Sequence, residues 1–400
     1  MTGDRVSIIP ALTFWAERAE GEACLPAPDI IVAIPARDEA AHISACLDAL
    51  ARQVDDAGTA LPSGAFGVLL LLNNCRDDTA AIAAGHAATR ALPLRIVAWE
   101  LPPSLAHAGA ARRLAMDAAA GWLIAGEATR GAILTTDADS VVAGDWVFRH
   151  RQAFALGVHA VAGLVRDEPE THRLLPIALR RRGWREDRYG ALLTELRSRL
   201  DPETPDPWPR HAMASGASLG ITLAAYEAID GVPLQALGED RALVQALEHR
   251  DVKVRHCLAT QVTTSCRLVG RAHGGMADTI RQRIADPDAF CDETLEPLLD
   301  AIHRYYWRGT LRRQHALGQL RGTGDWAGFL GIDEVLAARL AAEPYFGTLW
   351  YRIERASPQL RFCRLRPTQL PVEIKRAQGV LAWLRREAAD ETYASVAVAS

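Results

Sequence analysis

The stretch Ala132-Ile133-Leu134-Thr135-Thr136-Asp137-Ala138-Asp139-Ser140 decides how this chain is read. Its first half is a short apolar run, the pattern of a strand buried on both faces. It ends in two carboxylates spaced i, i+2. Side chains alternate along a strand, so two acids at that spacing converge once the chain turns off the sheet. In open α/β sheets, ligands gather at the carboxyl ends of strands. A pair of aspartates there suits a divalent cation holding a diphosphate, because hard cations prefer oxygen ligands. The competing interpretation is a polar turn in which Asp139 or Ser140 caps the next helix. The surrounding pattern has to choose between them.

Upstream, Asp29-Ile30-Ile31-Val32-Ala33-Ile34 is another continuous apolar run, stopped by Pro35. Asp38 is then the expected N-cap of a helix whose Ile43, Cys46, Leu47 and Leu50 share one face. A second strand, Val68 to Leu72, ends in Asn73-Asn74-Cys75-Arg76-Asp77-Asp78-Thr79, and a third spans Leu94 to Trp99. A helix near Gly109 to Ala120 precedes the strand that leads to Asp137. Strand and helix alternating four times predicts a parallel sheet with right-handed crossovers.

Downstream, the pattern predicts a helix over Trp146 to Leu156 and a strand over Val158 to Gly163. His172 to Leu200 reads as helical and carries Arg180-Arg181-Arg182. The proline density from Asp201 to Pro209, around Trp208, is incompatible with regular structure and marks a loop or lid. Thr222 to Ile229 reads as a short helix, and Gly238 opens another that runs to His249. Val252 to Cys257 and Thr260 to Thr264 read as strands. Beyond about Ala285 the pattern is helical. The expected division is therefore an α/β domain over 29–285 and a helical C-terminal region over 286–400.

Composition narrows the class. The chain has 400 residues, 49% hydrophobic and 24% charged, with a formal net charge of −4. Those values suit a globular protein and give no support for nucleic acid as a partner. No apolar run reaches the ~18 residues of a transmembrane span. The N-terminus lacks a signal-peptide layout, so a cytoplasmic location is expected. The seven cysteines are scattered, with no Cys-x-x-Cys pair. That argues against a disulfide framework or a zinc site.

Other clusters carry possible chemistry, each with a bland counterpart. Pro35-Ala36-Arg37-Asp38-Glu39 leaves the first strand and is either helix-start chemistry or a loop packed on a nucleotide base. Asn73 and Asn74 can read a base edge through their amides or simply make a turn. Gly109-Ala110-Ala111-Arg112-Arg113 offers close backbone approach and phosphate charge, or a solvated helix face. Gly238-Glu239-Asp240 is a second acidic pair, far downstream, at a helix start where the dipole favours the anion. An anionic carboxylate is also what a general base requires. The run from Ser265 to Gly275 combines Arg267, Arg271 and His273 with glycines, as loops that wrap anions do. His256 and His273 are alternative third metal ligands.

Taken in order, these pieces resemble family 2 glycosyltransferases of the GT-A fold. The matching residues are Ile31 to Glu39, Asn73 to Thr79, Asp137-Ala138-Asp139 and Gly238-Glu239-Asp240, and the resemblance covers about residues 29–285. It implies an α/β, GT-A (Rossmann-like) fold, mostly parallel and flanked by helices, with a helical C-terminal extension. It also implies a nucleotide-diphosphate sugar donor held by Pro35, Ala36, Arg37, Glu39, Asn73, Asn74, Arg112, Asp137, Ala138, Asp139, Arg267 and Arg271. Mg²⁺ or Mn²⁺ would sit on Asp139 and Asp137, with His273 as a further ligand. Asp240 would be the base, giving inversion, and Glu239 would orient the acceptor or Asp240. The Pro-Ala-Arg-Asp-Glu opening is also similar to bacterial glucosyl-phosphoglycerate and mannosylglycerate synthases, which retain configuration.

Two departures refine the expectation. Asn73 or Asn74 stands where the family usually has a base-reading Asp. The Gln-x-x-Arg-Trp of processive members is replaced by Arg267-Leu268-Val269-Gly270-Arg271. A single transfer to a small-molecule or lipid-linked acceptor follows. The C-terminal helices are candidates for completing the acceptor pocket or forming a homodimer. The rival readings are a sugar-phosphate nucleotidyltransferase, which lacks its early glycine-rich loop here, and a non-catalytic nucleotide-sugar-binding protein.

Overall fold

The computed structural model describes residues 28–266, 276–322 and 324–399, with backbone only for residues 276 and 388–399. The chain divides into two compact units. The first takes the chain up to His172, Met213–Glu248 and Val252–Asp278; the second takes Arg173–Ala212, His249–Asp251 and the chain from Thr279 onward. Among the described residues, no helix is long and apolar enough to cross a membrane.

The first unit is an eight-stranded sheet with helices on its faces. Its strands are β1 (Ile30–Ala36), β2 (Gly67–Asn73), β3 (Leu94–Trp99), β4 (Ala132–Thr135), β5 (Ser140–Val142), β6 (Ala160–Asp167), β7 (Leu219–Thr222) and β8 (Val254–Thr264), in the order β3-β2-β1-β4-β7-β6-β8-β5. Strands β3, β2, β1 and β4 are parallel, as the alternation predicts. Beyond β4 the sheet is mixed. β7 runs antiparallel to both β4 and β6, β5 runs antiparallel to β8, and β6 and β8 are parallel. The expectation of a mostly parallel sheet therefore holds for one half. β5 was missed because three residues carry too short a pattern to register, and β7, Leu219-Gly220-Ile221-Thr222, because Gly220 breaks its apolar run.

The central strands are near-continuous apolar runs because both faces are covered. Ile31, Ala33, Leu69, Leu71 and Ile133 pack with Ala115, Met116, Ala119 and Leu123 of the long helix Ala108–Ala125. Their alternate neighbours Val32, Ile34, Leu70 and Leu134 pack with Ile43, Leu47 and Leu50 of helix Ile43–Ala51 and with Trp146 and Val147 of helix Trp146–Ala155. These three helices are α1 (Ile43–Ala51), α4 (Ala108–Ala125) and α5 (Trp146–Ala155), with α2 (Thr79–Gly85) and α3 (Ala88–Ala91) between the first two. Pro35 lies inside β1 rather than ending it, paired with Leu71. β4 pairs with β1 only as far as Ala33, so the proline sits where one neighbour has already left.

The second unit is helical. Residues predicted as one helix from His172 form α6 (Pro169–Leu174) and α7 (Ile177–Leu200), broken at Pro176. In chain order, α8 (Leu223–Ala228) and nearly all of α9 (Glu239–His249) belong to the first unit, as does α6 up to His172, and α10 (Met276–Ala285) begins there; the second unit goes on with α11 (Leu298–Ala316), α12 (Asp325–Phe329), α13 (Glu334–Ala341), α14 (Phe346–Ala356) and α15 (Leu370–Ala399). One core joins Tyr189, Leu192, Leu193 and Leu196 of α7 to Leu298, Ala301, Ala377 and Leu381. The proline-rich loop after α7, expected as a lid, is clamped within this unit. Arg308 and Arg312 donate to Asp201, Arg308 also donates to Glu203 (2.9 Å), and Arg210 pairs with Asp206 (3.0 Å).

Candidate active site

Parallel strands deliver their exits to one edge, so the segments after β1, β2 and β4 emerge together. The first two are knitted to each other. Asp38 takes a left-handed conformation (φ 53°), and its Oδ1 accepts from the Arg76 amide (2.7 Å). It does not cap α1, which begins at Ile43 after His42. The Glu39 amide donates to the Thr79 hydroxyl (2.8 Å), and the Ala40 amide donates to Asp77 (3.0 Å). Thr79 in turn donates to Asp77 through its amide (3.0 Å) and its hydroxyl. The Asp-x-Thr of the second turn is thus a brace between loops.

Other candidate donor-binding residues have protein partners too. Arg37 donates from Nη1 to the Ala106 carbonyl (3.0 Å), and Glu39, nearly buried, meets His42 Nδ1 at 3.0 Å. Asn74 also takes a left-handed φ (52°). Its amide nitrogen donates to Glu100 (3.2 Å) and the Leu101 carbonyl (2.9 Å), and its oxygen accepts from the Leu101 amide (3.2 Å). The side chain therefore fixes the exit of β3. Asn73, Ala36 and Ala138 are buried, and Pro35 is half-buried.

At the centre stands Arg112 of α4, 5% exposed. Its Nη2 donates to Asp137 Oδ1 (2.7 Å) and its Nε to Glu239 Oε1 (3.1 Å). Its Nη1 donates to Thr135 Oγ1 (3.0 Å) and to the Gly216 carbonyl (2.9 Å). One guanidinium therefore joins the two acidic pairs, whose link spans 127 residues of sequence between Arg112 and Glu239. Burial opposes the charge on Arg112, but Asp137 and Glu239 outweigh it and hold the guanidinium even more firmly protonated than usual. The sequence suggested phosphate contact for this residue; its donors are directed instead at four protein oxygens.

The same loop anchors the second pair. Asp240, at the start of α9, accepts from the Gly216 amide (3.0 Å) through Oδ2 and from the Arg241 amide (2.8 Å) through Oδ1. Gly216 is required by close approach: a Cβ there would lie 2.2 Å from Arg112 Nη2. Gly109, also suspected of admitting a ligand, admits protein backbone instead, since its Cβ would lie 2.0 Å from the Gln235 carbonyl oxygen. Thr135 and Gly216 were invisible as site residues in the sequence, because their roles depend on Arg112 reaching them.

Asp137 and Asp139 occupy the turn between β4 and β5, closed by a Ser140 amide to Asp137 carbonyl bond (3.1 Å). Both are partly exposed. The Cys46 thiol of α1, which donates to the Asp137 carbonyl (3.7 Å), is pushed up to about 12 by burial and then by the charges of Asp139 and Asp137. The oxygen-only chemistry of this turn fits a hard divalent cation. The hydroxyl of Thr136, fully buried beside it, has no hydrogen-bond partner among the described residues. Arg267, Arg271 and His273 lie outside the described residues. His256 stands eight residues before Thr264 on β8, and Thr264 is the residue that pairs with Ser140. At ~3.3 Å per residue His256 is at the far end of the strand from the acidic turn.

No family model and no curated protein matches this chain. Among solved structures, the crystal structure of S. aureus TarS 1-349 in complex with UDP is similar at 14% identity and a TM-score of 0.41, covering 79% of this chain and 90% of that one. The mannosyltransferase PcManGT from Pyrobaculum calidifontis, in complex with GDP-Man and Mn²⁺, is similar at 18% identity and a TM-score of 0.44, covering 87% and 94%.

Proposed function

We propose that this chain is a metal-dependent, family 2-like glycosyltransferase of GT-A type. It moves one sugar from a nucleotide-diphosphate donor to an acceptor hydroxyl, without processivity and with inversion. The observation that carries this reading is the Arg112 bridge, which brings Asp137 and Glu239 to one guanidinium at the exit of β4.

Asp139, with Asp137, would hold Mg²⁺ or Mn²⁺. A bound cation of this kind supplies Lewis-acid stabilisation to a leaving diphosphate. Arg112 acts as a positioning residue: it sets the spacing between the cation-holding turn and the head of α9. Glu239, held by Arg112, fixes the orientation of its neighbour. Asp240 takes the proton from the acceptor hydroxyl as that oxygen attacks the anomeric carbon. The Gly216 and Arg241 amides hold its carboxylate in place. Arg267 and Arg271 remain the candidates for direct charge on the diphosphate.

The test is a thermal-shift panel of UDP- and GDP-sugars with and without Mn²⁺, since a ligand that binds the native state raises apparent stability. A metal-dependent shift that Asp139→Ala abolishes is expected. With the donor so identified, Asp240→Asn should bind it normally and lose at least ~10²-fold in turnover, the low end for a missing general base. Donor affinity indifferent to Mn²⁺ and to Asp139→Ala would remove the metal assignment, and retained turnover would remove Asp240 as the base.

A further inference from the structure

The sequence offers no cysteine pair with metal-ligand spacing, yet the fold assembles a mixed ligand set elsewhere in the first unit. β6 and β8 run parallel, with Asp167 beside Thr264. The Glu168 amide donates to the Thr264 carbonyl (2.8 Å), and the Cys266 amide donates to the Thr171 hydroxyl (3.0 Å). The exit of β8 is thereby drawn against the corner between β6 and α6. Ligand atoms of Asp167, His172 and Cys266 all come within 4.8 Å of one another. His172 Nδ1 already meets Asp167 Oδ2 at 2.8 Å, and these two side chains are 38% and 55% exposed. Cys266 is 7% exposed.

We infer that Asp167, His172 and Cys266 form a binding site for a borderline-soft divalent cation, of which Zn²⁺ is the type. One sulfur, one imidazole nitrogen and one carboxylate oxygen are the three donor classes that zinc takes, at ~2.0–2.3 Å. A tetrahedral set at those bond lengths has ligands roughly 3.5 Å apart. Asp167 and His172, 55% and 38% exposed along their side chains, have room to turn toward that spacing. The thiolate separates this site from the Asp137–Asp139 turn, because sulfur selects against Mg²⁺ and Mn²⁺. A metal takes cysteine as the thiolate, so cation binding exchanges the Cys266 proton for the metal. The bound cation fastens the segment leaving β8 to the β6–α6 corner. This inference is independent of the glycosyltransferase reading.

The test uses the full chain, stripped with chelator and titrated with Co²⁺ as a spectroscopic substitute for Zn²⁺. A sulfur-to-cobalt charge-transfer band should appear in the wild type, persist in Cys257→Ser and Asp139→Ala, and vanish in Cys266→Ser. Competition with a chromophoric chelator should show Zn²⁺ affinity falling in His172→Gln by at least ~10–100-fold, the cost of disturbing even a ligand's hydrogen-bond partner. His172→Gln is a surface change, so it tests the site even if Cys266→Ser fails to fold. Absence of the band in the wild type, its survival in Cys266→Ser, or unchanged Zn²⁺ affinity in His172→Gln overturns the inference. Loss of nucleotide-sugar binding in Asp139→Ala leaves it untouched.

Discussion

Replacing Arg112 by Met tests whether one guanidinium holds the acidic turn and the head of α9 together. Methionine keeps much of the apolar stem, so the loss falls on the charged head rather than on packing volume. Four acceptors lose their donor: Asp137 at 2.7 Å, Gly216 at 2.9 Å, Thr135 at 3.0 Å and Glu239 at 3.1 Å. Asp137 is 35% exposed along its side chain and recovers water, so its share is small. Glu239, at 9%, does not. Stranding a buried carboxylate in this way costs about 3–5 kcal/mol. Two compact units make global unfolding a poor gauge, so local opening is the quantity to measure. Hydrogen exchange of peptides covering Thr135–Asp139 and Gly216–Asp240 should accelerate roughly 10²- to 10³-fold or more, at ~1.4 kcal/mol per decade. On a Glu239→Gln background the same substitution should cost at least ~1 kcal/mol less, since no buried charge is then stranded. Wild-type exchange in Arg112→Met, or additivity of the two substitutions within ~0.5 kcal/mol, would refute the bridge.

Two further outcomes follow from other contacts. Gly216→Ala should mimic Arg112→Met in the same peptides at about 1–3 kcal/mol, because its Cβ would press on the guanidinium; silent exchange there would show that the guanidinium can give way. In the second unit, burial raises Asp201 and Glu203, but the neighbouring arginines, Arg308 foremost, outweigh it and hold both carboxyls below the usual range. Their stabilisation is therefore present above about pH 4 and is lost as pH falls through the depressed folded values. Arg308→Met removes the first-named lowering influence on both, so its helix content by circular dichroism should collapse at higher pH than the wild type; coincident acid transitions would contradict the clamp.

What could be read in advance was whatever a local pattern encodes. β1, β2 and β4 announced themselves because burial on two faces demands unbroken apolar runs. The limits of α9 matched because Gly238, with φ 70°, and the acids after it are local start signals. β8 was expected as two strands because Leu258 and Ala259 are exposed in its middle, beside the irregularity between Gly163 and Leu164. The site divided in the same way. Asp137, Asp139, Glu239 and Asp240 stood out as acids at element ends. The job of Arg112 did not, because an arginine's partners lie in segments whose approach no spacing encodes. Asp38 was misjudged as a cap for a related reason: like Asn74, it adopts a left-handed conformation whose use is set by the neighbouring loop.

The interrupted make-up of the second unit bears on how the chain is made. The apolar face of α7, with Tyr189, Leu192, Leu193 and Leu196, is covered by side chains from Cys291 to Leu381. Those residues are synthesised roughly 90 to 190 positions after α7, a wait of roughly 5–40 s at ~5–20 residues per second. During that interval α7 stands on the ribosome with an uncovered greasy stripe. A message cut short near residue 285 would leave it so permanently, making truncated forms customers for chaperones and prone to aggregate.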